Sequence, residues 1–282
     1  MAPATVDYVG RDGILRGADH HLNFCVYYGG NLRYAWDNRL TAPYFSLIIP
    51  AHNEEQRLPD TLKQVTAYLQ AQPFDFEVLV VENNSTDHTL AIAQAFSAQH
   101  PQVRVLQNAQ RGKGRAVKQG MLAARGEYRF MCDADLSMPI TEIGKFLPPA
   151  LTGYDIVIAS REAPGSIRYN EPIYRHLGGR AINLIIRLLA LPGLQDSQCG
   201  FKCFTARAAE DLFNIQTLNG WSFDIELLFV ARMRGYRLIE VPIHWYYQCE
   251  SKVHAVRDAL RMIRDIFTIR WNAVRGGYGG KV

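Results

Sequence analysis

The sequence is poor in several features that would assign it to large classes of protein. Its 282 residues include five cysteines, an odd number spread through apolar surroundings, so we expect no disulfide framework and a reducing compartment. Cys199 and Cys203 are four residues apart and would share one helix face, but no second Cys or His pair has the spacing of a zinc site. We therefore interpret both as packing residues.

Charge of one sign and long apolar runs are also scarce. The formal net charge of +4 at pH 7 does not indicate a nucleic-acid partner and fits a modest anionic partner better. No run reaches the ~18 apolar residues of a membrane span, and the N-terminus lacks the basic and apolar regions of a secretion signal. We expect a cytoplasmic protein, with peripheral contact at the cytoplasmic face of a membrane left open.

Alternating strand and helix patterns begin at Tyr44. Short apolar runs predict strands at "YFSLIIP", "FEVLVVE", "VRVLQN", "EYRFMC" and "YDIVIAS". The intervening helices are expected at Glu54 to Leu69, at Thr86 to Phe96 with Ser85 or Thr86 as the cap, and between Gly112 and Gly126. This alternation predicts an α/β fold, a Rossmann-like, mostly parallel sheet flanked by helices, which binds ligands beyond the carboxyl ends of its strands.

The chain changes character after the fifth strand. An irregular loop from Arg161 to Pro172 precedes helical patterns at "IYRHLGGRAINLIIRLLAL", Ala206 to Phe213 and "SFDIELLFVARMRG", then a strand "RLIEVPIHW" and a helix from about Val253 to Val274. No linker interrupts this order. We therefore expect a single catalytic domain at 44–252, an N-terminal extension at 1–43, and a C-terminal amphipathic helix and tail at 253–282.

Two aspartates follow the fourth strand in "RFMCDADLSMP". At positions i and i+2 of an extended strand, Asp133 and Asp135 would project the same way into the ligand crevice. Two carboxylates can hold Mg²⁺ or Mn²⁺, which completes its ligands with substrate phosphates. The alternative is that one aspartate caps the next helix while the other is a solvated turn residue.

A basic cluster precedes these aspartates in "QRGKGRAVKQG". Arg111, Lys113, Arg115 and Lys118 surround two glycines at a predicted helix start, where backbone N–H groups and the helix dipole favour an anion. The segment has neither the Walker A nor the dinucleotide-binding spacing, which argues against kinase and dehydrogenase functions. An ordinary helix start with exposed basic side chains is the alternative.

Five segments of the sequence occur in a characteristic order: "SLIIPAHNEE", "VLVVENNSTD", "GKGRAVKQGMLAARG", "DADLS" and "DSQCGFKCF". Together they resemble family 2 glycosyltransferases of the GT-A fold. The sequence is most similar to the branch that transfers a sugar to dolichyl or polyprenyl phosphate, the dolichyl-phosphate glucose and mannose synthases. The resemblance covers roughly residues 45–252 and implies an inverting transfer with Mg²⁺ or Mn²⁺.

The resemblance also implies roles for individual residues. Those implied to bind the nucleotide sugar are Pro50, Ala51, Asn53, Glu54, Glu82, Asn83, Lys113, Gly114, Asp133, Gln198, Trp221 and Lys252. Asp133 and Asp135 would bind the metal and the diphosphate. Glu82 and Asn83 stand where relatives carry an aspartate pair that faces the base, and Glu250 precedes Ser251 and Lys252 where relatives carry glycine.

The chemistry of the acceptor decides which residues are catalytic. A phosphate monoester has its second pKa near ~6 and is already an anionic nucleophile at neutral pH, so no strong general base is needed. Arg161, Arg168 and Arg175 are then candidates to hold the acceptor phosphate. A hydroxyl acceptor would instead need a carboxylate base, for which Asp196 or Asp224 would serve. The catalytic candidates are Asp135, Asp196 and Arg161.

The sequence favours UDP-glucose as the donor, with GDP-mannose as the second candidate, because "DSQCGFK" and "GKGRAV" resemble the glucose branch. A nucleotidyltransferase would need a glycine-rich loop after the first strand, and an inactive sensor would be expected to lose one of the paired aspartates; neither pattern is present. The expected acceptor is a polyprenyl phosphate.

Two helical stretches suit an anionic membrane surface. "INLIIRLLAL" is apolar around a single arginine, and the C-terminal helix places Arg257, Arg261 and Arg264 on one face. The alternative is a core helix with a solvated basic face.

Overall fold

The computed structural model describes residues 42–248 and 255–279, with side chains from 259 in the second range, and four short strands nearer the N-terminus. The chain divides into two compact units, Met1–Ala42 and Pro43–Val282. Within the first unit, two antiparallel strand pairs occur in a segment for which the sequence showed no periodicity, because strands of three or four residues are too short to display one. They are β1 (Tyr8–Gly10) with β2 (Gly13–Leu15), and β3 (Cys25–Tyr28) with β4 (Asn31–Tyr34).

The second unit is built on a seven-stranded sheet with the order β12-β9-β11-β8-β5-β6-β7. Its strands are β5 (Phe45–Ala51), β6 (Phe76–Glu82), β7 (Val103–Gln107), β8 (Tyr128–Cys132), β9 (Ile156–Ser160), β11 (Phe201–Thr205) and β12 (Leu238–Pro242). Every neighbouring pair is parallel except those of β11, which runs antiparallel to both β8 and β9. The predicted mostly parallel sheet is confirmed.

Helices cover both faces of this sheet. They are α1 (Leu58–Gln70), α2 (Thr89–Gln99), α3 (Lys113–Ala123), a 3-10 helix (Ile140–Lys145), α4 (Ile173–Leu189), α5 (Ala206–Ile215), α6 (Phe223–Met233) and α7 (Ala255–Val274). Alternate side chains of β5 point to opposite faces. Ile48 therefore packs in the core under α3 and α5, whereas Leu47 and Ile49 pack in the core under α1.

The first two helices begin later than the sequence predicted. Asn53 has a left-handed backbone with φ of 53°, so the chain after β5 turns before α1 starts at Leu58, with a proline in its first turn. Neither Ser85 nor Thr86 caps α2. Instead Asp87 accepts the backbone N–H of Thr89 at 3.0 Å, since the intervening turn serves the ligand-binding edge of the sheet.

Two further sequence interpretations are corrected. Cys203 lies on strand β11 and Cys199 precedes that strand, so the two do not share a helix face, although both are buried. The segment "RLIEVPIHW" is not one strand. It divides at Ile243 because β12 pairs with β9, whereas β13 (His244–Tyr246) pairs with β10 (Ile167–Tyr169) in a separate two-stranded sheet.

Within the described residues, no helix has both the length and the apolar composition that crossing a bilayer requires.

Candidate active site

A cavity of about 380 Å³ lies at the carboxyl ends of the parallel strands β5, β6 and β8. Eleven of the residues predicted for the donor, the catalytic groups or the acceptor phosphate line it: Pro50, Ala51, Glu54, Asn83, Lys113, Asp133, Asp135, Arg161, Arg175, Gln198 and Trp221. The ends of neighbouring parallel strands meet at one edge, which is why segments far apart in sequence contribute to one cavity.

The paired aspartates lie in a turn and not on the strand itself. Strand β8 ends at Cys132, and the chain then turns through Leu136, which has φ of 45°. Asp133 donates its backbone N–H to Gly200 O at 3.1 Å, and the Asp135 carboxylate accepts the Ser137 N–H at 2.9 Å. Neither aspartate caps the following 3-10 helix, whose N-cap is a proline.

The electrostatics of Asp135 reflect this crowded turn. Burial and the neighbouring charge of Asp133 both disfavour a second carboxylate, so the pKa of Asp135 is raised above its usual value. A cation placed between the two side chains would relieve both effects.

The chemistry of this pair fits a hard divalent cation. The described residues contain no cluster of three or more His, Cys, Asp or Glu side chains with metal-ligand geometry. Mg²⁺ and Mn²⁺, however, are held by one or two carboxylates when a substrate supplies phosphate oxygens. Gly200 also makes room for the pair, because a Cβ at that position would lie 1.8 Å from Asp133 Oδ2.

Lys113 brings positive charge to the same place. It is the first residue of α3, and its Nζ lies 2.6 Å from Asp133 Oδ1 and 5.0 Å from the ring centroid of Trp221. Burial alone would lower the pKa of Lys113, but the charges of Asp133 and Asp224 outweigh it and raise the pKa, so the side chain stays protonated.

Three predicted residues shape the cavity without lining it. Asn53 Oδ1 accepts the backbone N–H of Thr86 at 2.8 Å and so ties the turn after β5 to the turn after β6. Glu82 is buried and its carboxylate accepts the Ser85 N–H. Gly114 packs against α6, where a Cβ would lie 2.7 Å from Phe223 Cβ. A fourth predicted residue, Lys252, lies outside the described residues, as does Ser251.

Arg161 and Asp196 form a bidentate ion pair behind the cavity. Arg161 Nε and Nη2 donate to the Asp196 carboxylate at 2.7 and 2.9 Å, and the Arg161 backbone N–H adds a third bond. Burial would raise the pKa of Asp196, but Arg161 overrides it and the pKa falls to about 2. Glu240 fixes the same loop by accepting the N–H groups of Gln195 and Asp196, both at 2.8 Å.

The catalytic role of Asp196 stays a prediction. Its side chain is fully buried and paired with Arg161 at 2.7 Å, and it is not among the residues that line the cavity. Asp224 is placed similarly. It is buried 2.9 Å from Lys202 Nζ, and its pKa is raised because burial outweighs that cation.

Another part of the cavity lining is aromatic and cationic. Arg175, near the start of α4, lies 5.1 Å from the ring centroid of Tyr247 and donates to its hydroxyl at 3.1 Å. Arg161 stacks over Trp245 at 5.6 Å from the ring centroid. Arg168 instead forms ion pairs with Glu162 and Glu171 at 2.5 and 2.6 Å, and it is not among the lining residues.

Several lining residues were missed by sequence reasoning: His52, Gly200, Trp245, Tyr247 and Gln248. The run "HWYYQ", which overlaps the end of the last strand pattern, was an available signal for three of them. Gly200 offered no signal, because its importance depends on the close approach of Asp133.

The chain is similar in sequence to characterised enzymes. The model of the family described as "Glycosyl transferase family 2" matches residues 46–213. The dolichyl-phosphate beta-glucosyltransferase of Drosophila melanogaster is 35% identical over 239 residues, which are 79% of this chain and 73% of that protein. The Homo sapiens protein of the same name is 30% identical over 258 residues, 86% of this chain and 79% of that one.

Solved structures are similar in fold. Glucosyl-3-phosphoglycerate synthase from Mycobacterium tuberculosis in complex with UDP superposes with a TM-score of 0.59 at 18% identity, covering 89% of this chain and 87% of that one. The same enzyme with Mn²⁺, UDP and glucosyl-3-phosphoglycerate gives a TM-score of 0.59 at 17% identity, covering 87% and 84%. At such identities the likeness concerns the fold alone, and it confirms the predicted GT-A fold.

Proposed function

The chain belongs to glycosyltransferase family 2, and on this premise we propose that it transfers glucose from UDP-glucose to a polyprenyl phosphate with inversion at the anomeric carbon. The observation that carries the proposal is the composition of one cavity. The same cavity is lined by Asp133, Asp135 and Lys113 and by Arg175 and Tyr247.

The donor end suits a nucleoside diphosphate. Asp133 and Asp135 would hold Mg²⁺ or Mn²⁺, which when bound supplies positive charge to the departing diphosphate. Lys113 adds a protonated ammonium group beside them. Pro50, Ala51, Glu54 and Asn83 offer backbone and side-chain groups for the nucleoside, and the names of sequence relatives and UDP-bound structural relatives support UDP-glucose over GDP-mannose.

The acceptor end suits a phosphate. Arg175 is held by Tyr247 at the cavity wall, where a guanidinium can bind phosphate oxygens with two parallel hydrogen bonds. A phosphate acceptor needs no proton removed, so the enzyme has to align it with the anomeric carbon. The burial of Asp196 and Asp224, each beside a cation, disfavours the hydroxyl-acceptor alternative, which requires a carboxylate base at the reacting oxygen.

Helices α4 and α7 support contact with a membrane surface, where a polyprenyl chain resides. They pack together, with Arg270 donating to Leu189 O at 2.8 Å. Their outer sides carry exposed apolar and basic side chains, which suit the boundary of an anionic bilayer. We name this set the α4–α7 surface: Ile173, Leu177, Arg180, Leu184, Arg187, Leu188, Leu260, Arg261, Arg264, Phe267 and Trp271.

A crossed donor and acceptor screen tests the proposal. UDP-glucose and GDP-mannose are each incubated with dolichyl phosphate or with an alkyl glucoside, and released UDP or GDP is measured with Mg²⁺, Mn²⁺ or EDTA. We expect UDP release with dolichyl phosphate only, lost in EDTA and in Asp135→Asn. Faster GDP release identifies a mannosyltransferase, turnover with the glucoside overturns the phosphate acceptor, and full activity in EDTA overturns the metal site.

A further inference from the structure

Residues 216–222, which we call the wall loop, form one side of the donor end of the cavity. The loop contributes Gly220 and Trp221 to the lining, and Trp221 stacks on Lys113. It also docks against the start of α3, since Asn219 O accepts the Arg115 N–H at 3.3 Å and the Gln216 side chain donates to Gly114 O at 3.0 Å. The wall loop therefore determines where both Trp221 and Lys113 lie.

The docking leaves no free space. A Cβ at Gly112 would lie 2.6 Å from Asn219 O, and one at Gly114 would lie 2.9 Å from Leu218 O. A displacement of the loop is consequently transmitted to the first turn of α3, because interfaces packed this closely shift together.

A single buried carboxylate holds the loop at its first end. Glu226 of α6 is 1% exposed, and it accepts the Thr217 N–H at 3.1 Å, the Leu218 N–H at 2.8 Å and the Thr217 hydroxyl. Its fourth donor is the hydroxyl of Tyr278, at 2.9 Å, whose side chain is 1% exposed. Tyr278 lies beyond the C-terminal end of α7.

The other end of the loop is held by α7 itself. Asp265 Oδ2 accepts the Ser222 hydroxyl at 2.7 Å. The C-terminal segment thus holds one end of the wall loop directly, through Asp265, and the other end indirectly, through the bond of Tyr278 to Glu226. All three residues lie outside residues 46–213 that the family model matches. Hydrogen bonds to carboxylates are among the stronger ones in proteins, so these contacts restrict the loop.

We infer that Asp265 and Tyr278 are positioning residues for the donor, acting through the wall loop on Trp221 and Lys113. A loop that is held in its binding geometry before the donor arrives avoids an ordering penalty on binding, and loosening it lowers affinity. The inference rests on the proposed function in one respect, namely that the donor carries a nucleoside diphosphate.

The test compares two tyrosine variants that each lose one hydroxyl. Tyr278→Phe keeps the buried ring and removes the bond to Glu226, while Tyr236→Phe removes a part-buried bond to Asp211 of α5, 2.8 Å long. We expect Tyr278→Phe to weaken UDP binding in calorimetry by about 3- to 10-fold, in the range of measured coupling between linked residues. Tyr236→Phe should bind UDP as the wild type does.

Kinetics and amide exchange separate positioning from general loss of stability. Tyr278→Phe should raise the donor KM and leave the acceptor KM unchanged, and it should speed hydrogen exchange at the Thr217 and Leu218 amides. Asp265→Asn should act in the same direction on the donor KM. Unchanged UDP affinity in Tyr278→Phe, or an equal loss in Tyr236→Phe, overturns the inference.

The experiments distinguish an error in the proposed donor from an error in the inference about Tyr278. A wild-type chain that binds no UDP contradicts the proposed function, and in that case amide exchange at Thr217 and Leu218 still decides whether Tyr278 holds the loop. Unchanged exchange there overturns the inference by itself.

Discussion

The room left by the missing side chain of Gly200 is what allows Asp133 to reach the cavity. Gly200→Ala places a Cβ 1.8 Å from Asp133 Oδ2, so the carboxylate has to move. We expect turnover to fall roughly 100-fold, the scale of a misplacement of about 1 Å at a reacting centre, and Mn²⁺ binding to weaken in parallel. Gly144→Ala is the matched control, because its Cβ meets only Tyr68 Oη at 3.6 Å. Normal Mn²⁺ affinity in Gly200→Ala would contradict the assignment of Asp133.

Lys113 contributes charge where the diphosphate is proposed to bind. Lys113→Ala should weaken UDP binding by about 1–3 kcal/mol, the range for a hydrogen bond to a charged group, as measured by calorimetry. Lys63→Ala removes an equal charge from a side chain that is 71% exposed, and it should leave UDP affinity unchanged. Equal effects of the two variants would mean that Lys113 acts only through the net charge of the protein.

The buried pair of Arg161 and Asp196 makes stability depend on pH. Asp196→Asn should lower the free energy of unfolding by about 3–5 kcal/mol near neutral pH, because it leaves Arg161 without its counter-charge. The Asp196 pKa is depressed from 3.8 to about 2, so the unfolded state takes up the proton first as pH falls. The stabilisation is complete above the ordinary carboxyl range and disappears as pH falls through about 2.

Urea unfolding of wild type and Asp196→Asn measures this pH dependence. The difference between the two chains should shrink between about pH 4 and pH 2. Asp60→Asn is the control, since Asp60 pairs with Lys63 at a side-chain exposure of 78% and should change stability by less than about 1 kcal/mol. A constant difference across that range would contradict the pairing.

At the scale of elements, the strands and helices from β5 to β9 could be predicted because their sequence patterns are local. Apolar runs of five to seven residues predicted β5, β6 and β8. The polar residues that follow each run predicted the ligand-binding edge of the sheet. The antiparallel direction of β11 could not be predicted from its sequence. It depends on the position at which the chain enters the sheet again after α4. The ion pair of Asp196 with Arg161 was not predicted for the same reason, because the two residues are remote in sequence and no local pattern indicates a pair across such a separation.

The basic residues of the α4–α7 surface are expected to bind anionic lipid, whereas Lys113 at the start of α3 is expected to bind the donor. Arg261→Gln with Arg264→Gln removes two exposed cations of the α4–α7 surface, so it should weaken binding to anionic vesicles by up to ~1 kcal/mol per residue, with strong salt dependence. Sedimentation with vesicles measures this, and UDP affinity should be unchanged. Lys63→Gln with Arg237→Gln is the charge-matched control, with both side chains exposed elsewhere. Normal sedimentation with reduced UDP affinity would assign these arginines to the donor site.

At the scale of the whole molecule, the described lining of the cavity comes from residues 50–248, all within the second compact unit. Removal of residues 1–42 should therefore leave UDP affinity within about twofold of wild type, a change below about 0.5 kcal/mol. Calorimetry with UDP and a thermal unfolding scan measure the result. A truncated chain that folds but no longer binds UDP would show that the extension predicted at 1–43 is part of the donor site.

The position of β11 has a consequence for synthesis on the ribosome. Its two neighbours in the sheet, β8 and β9, are both synthesised before it. The other neighbour of β9, β12, is synthesised later still. Chains grow at about 5–20 residues per second, whereas hairpins form in about 1–10 μs, so the early half of the sheet can assemble well before its missing central strand exists. During that interval the open edges of β8 and β9 can pair with strands of other nascent chains. Between the synthesis of Ser160 and that of Thr205, both β8 and β9 therefore lack the strand that lies between them in the finished sheet.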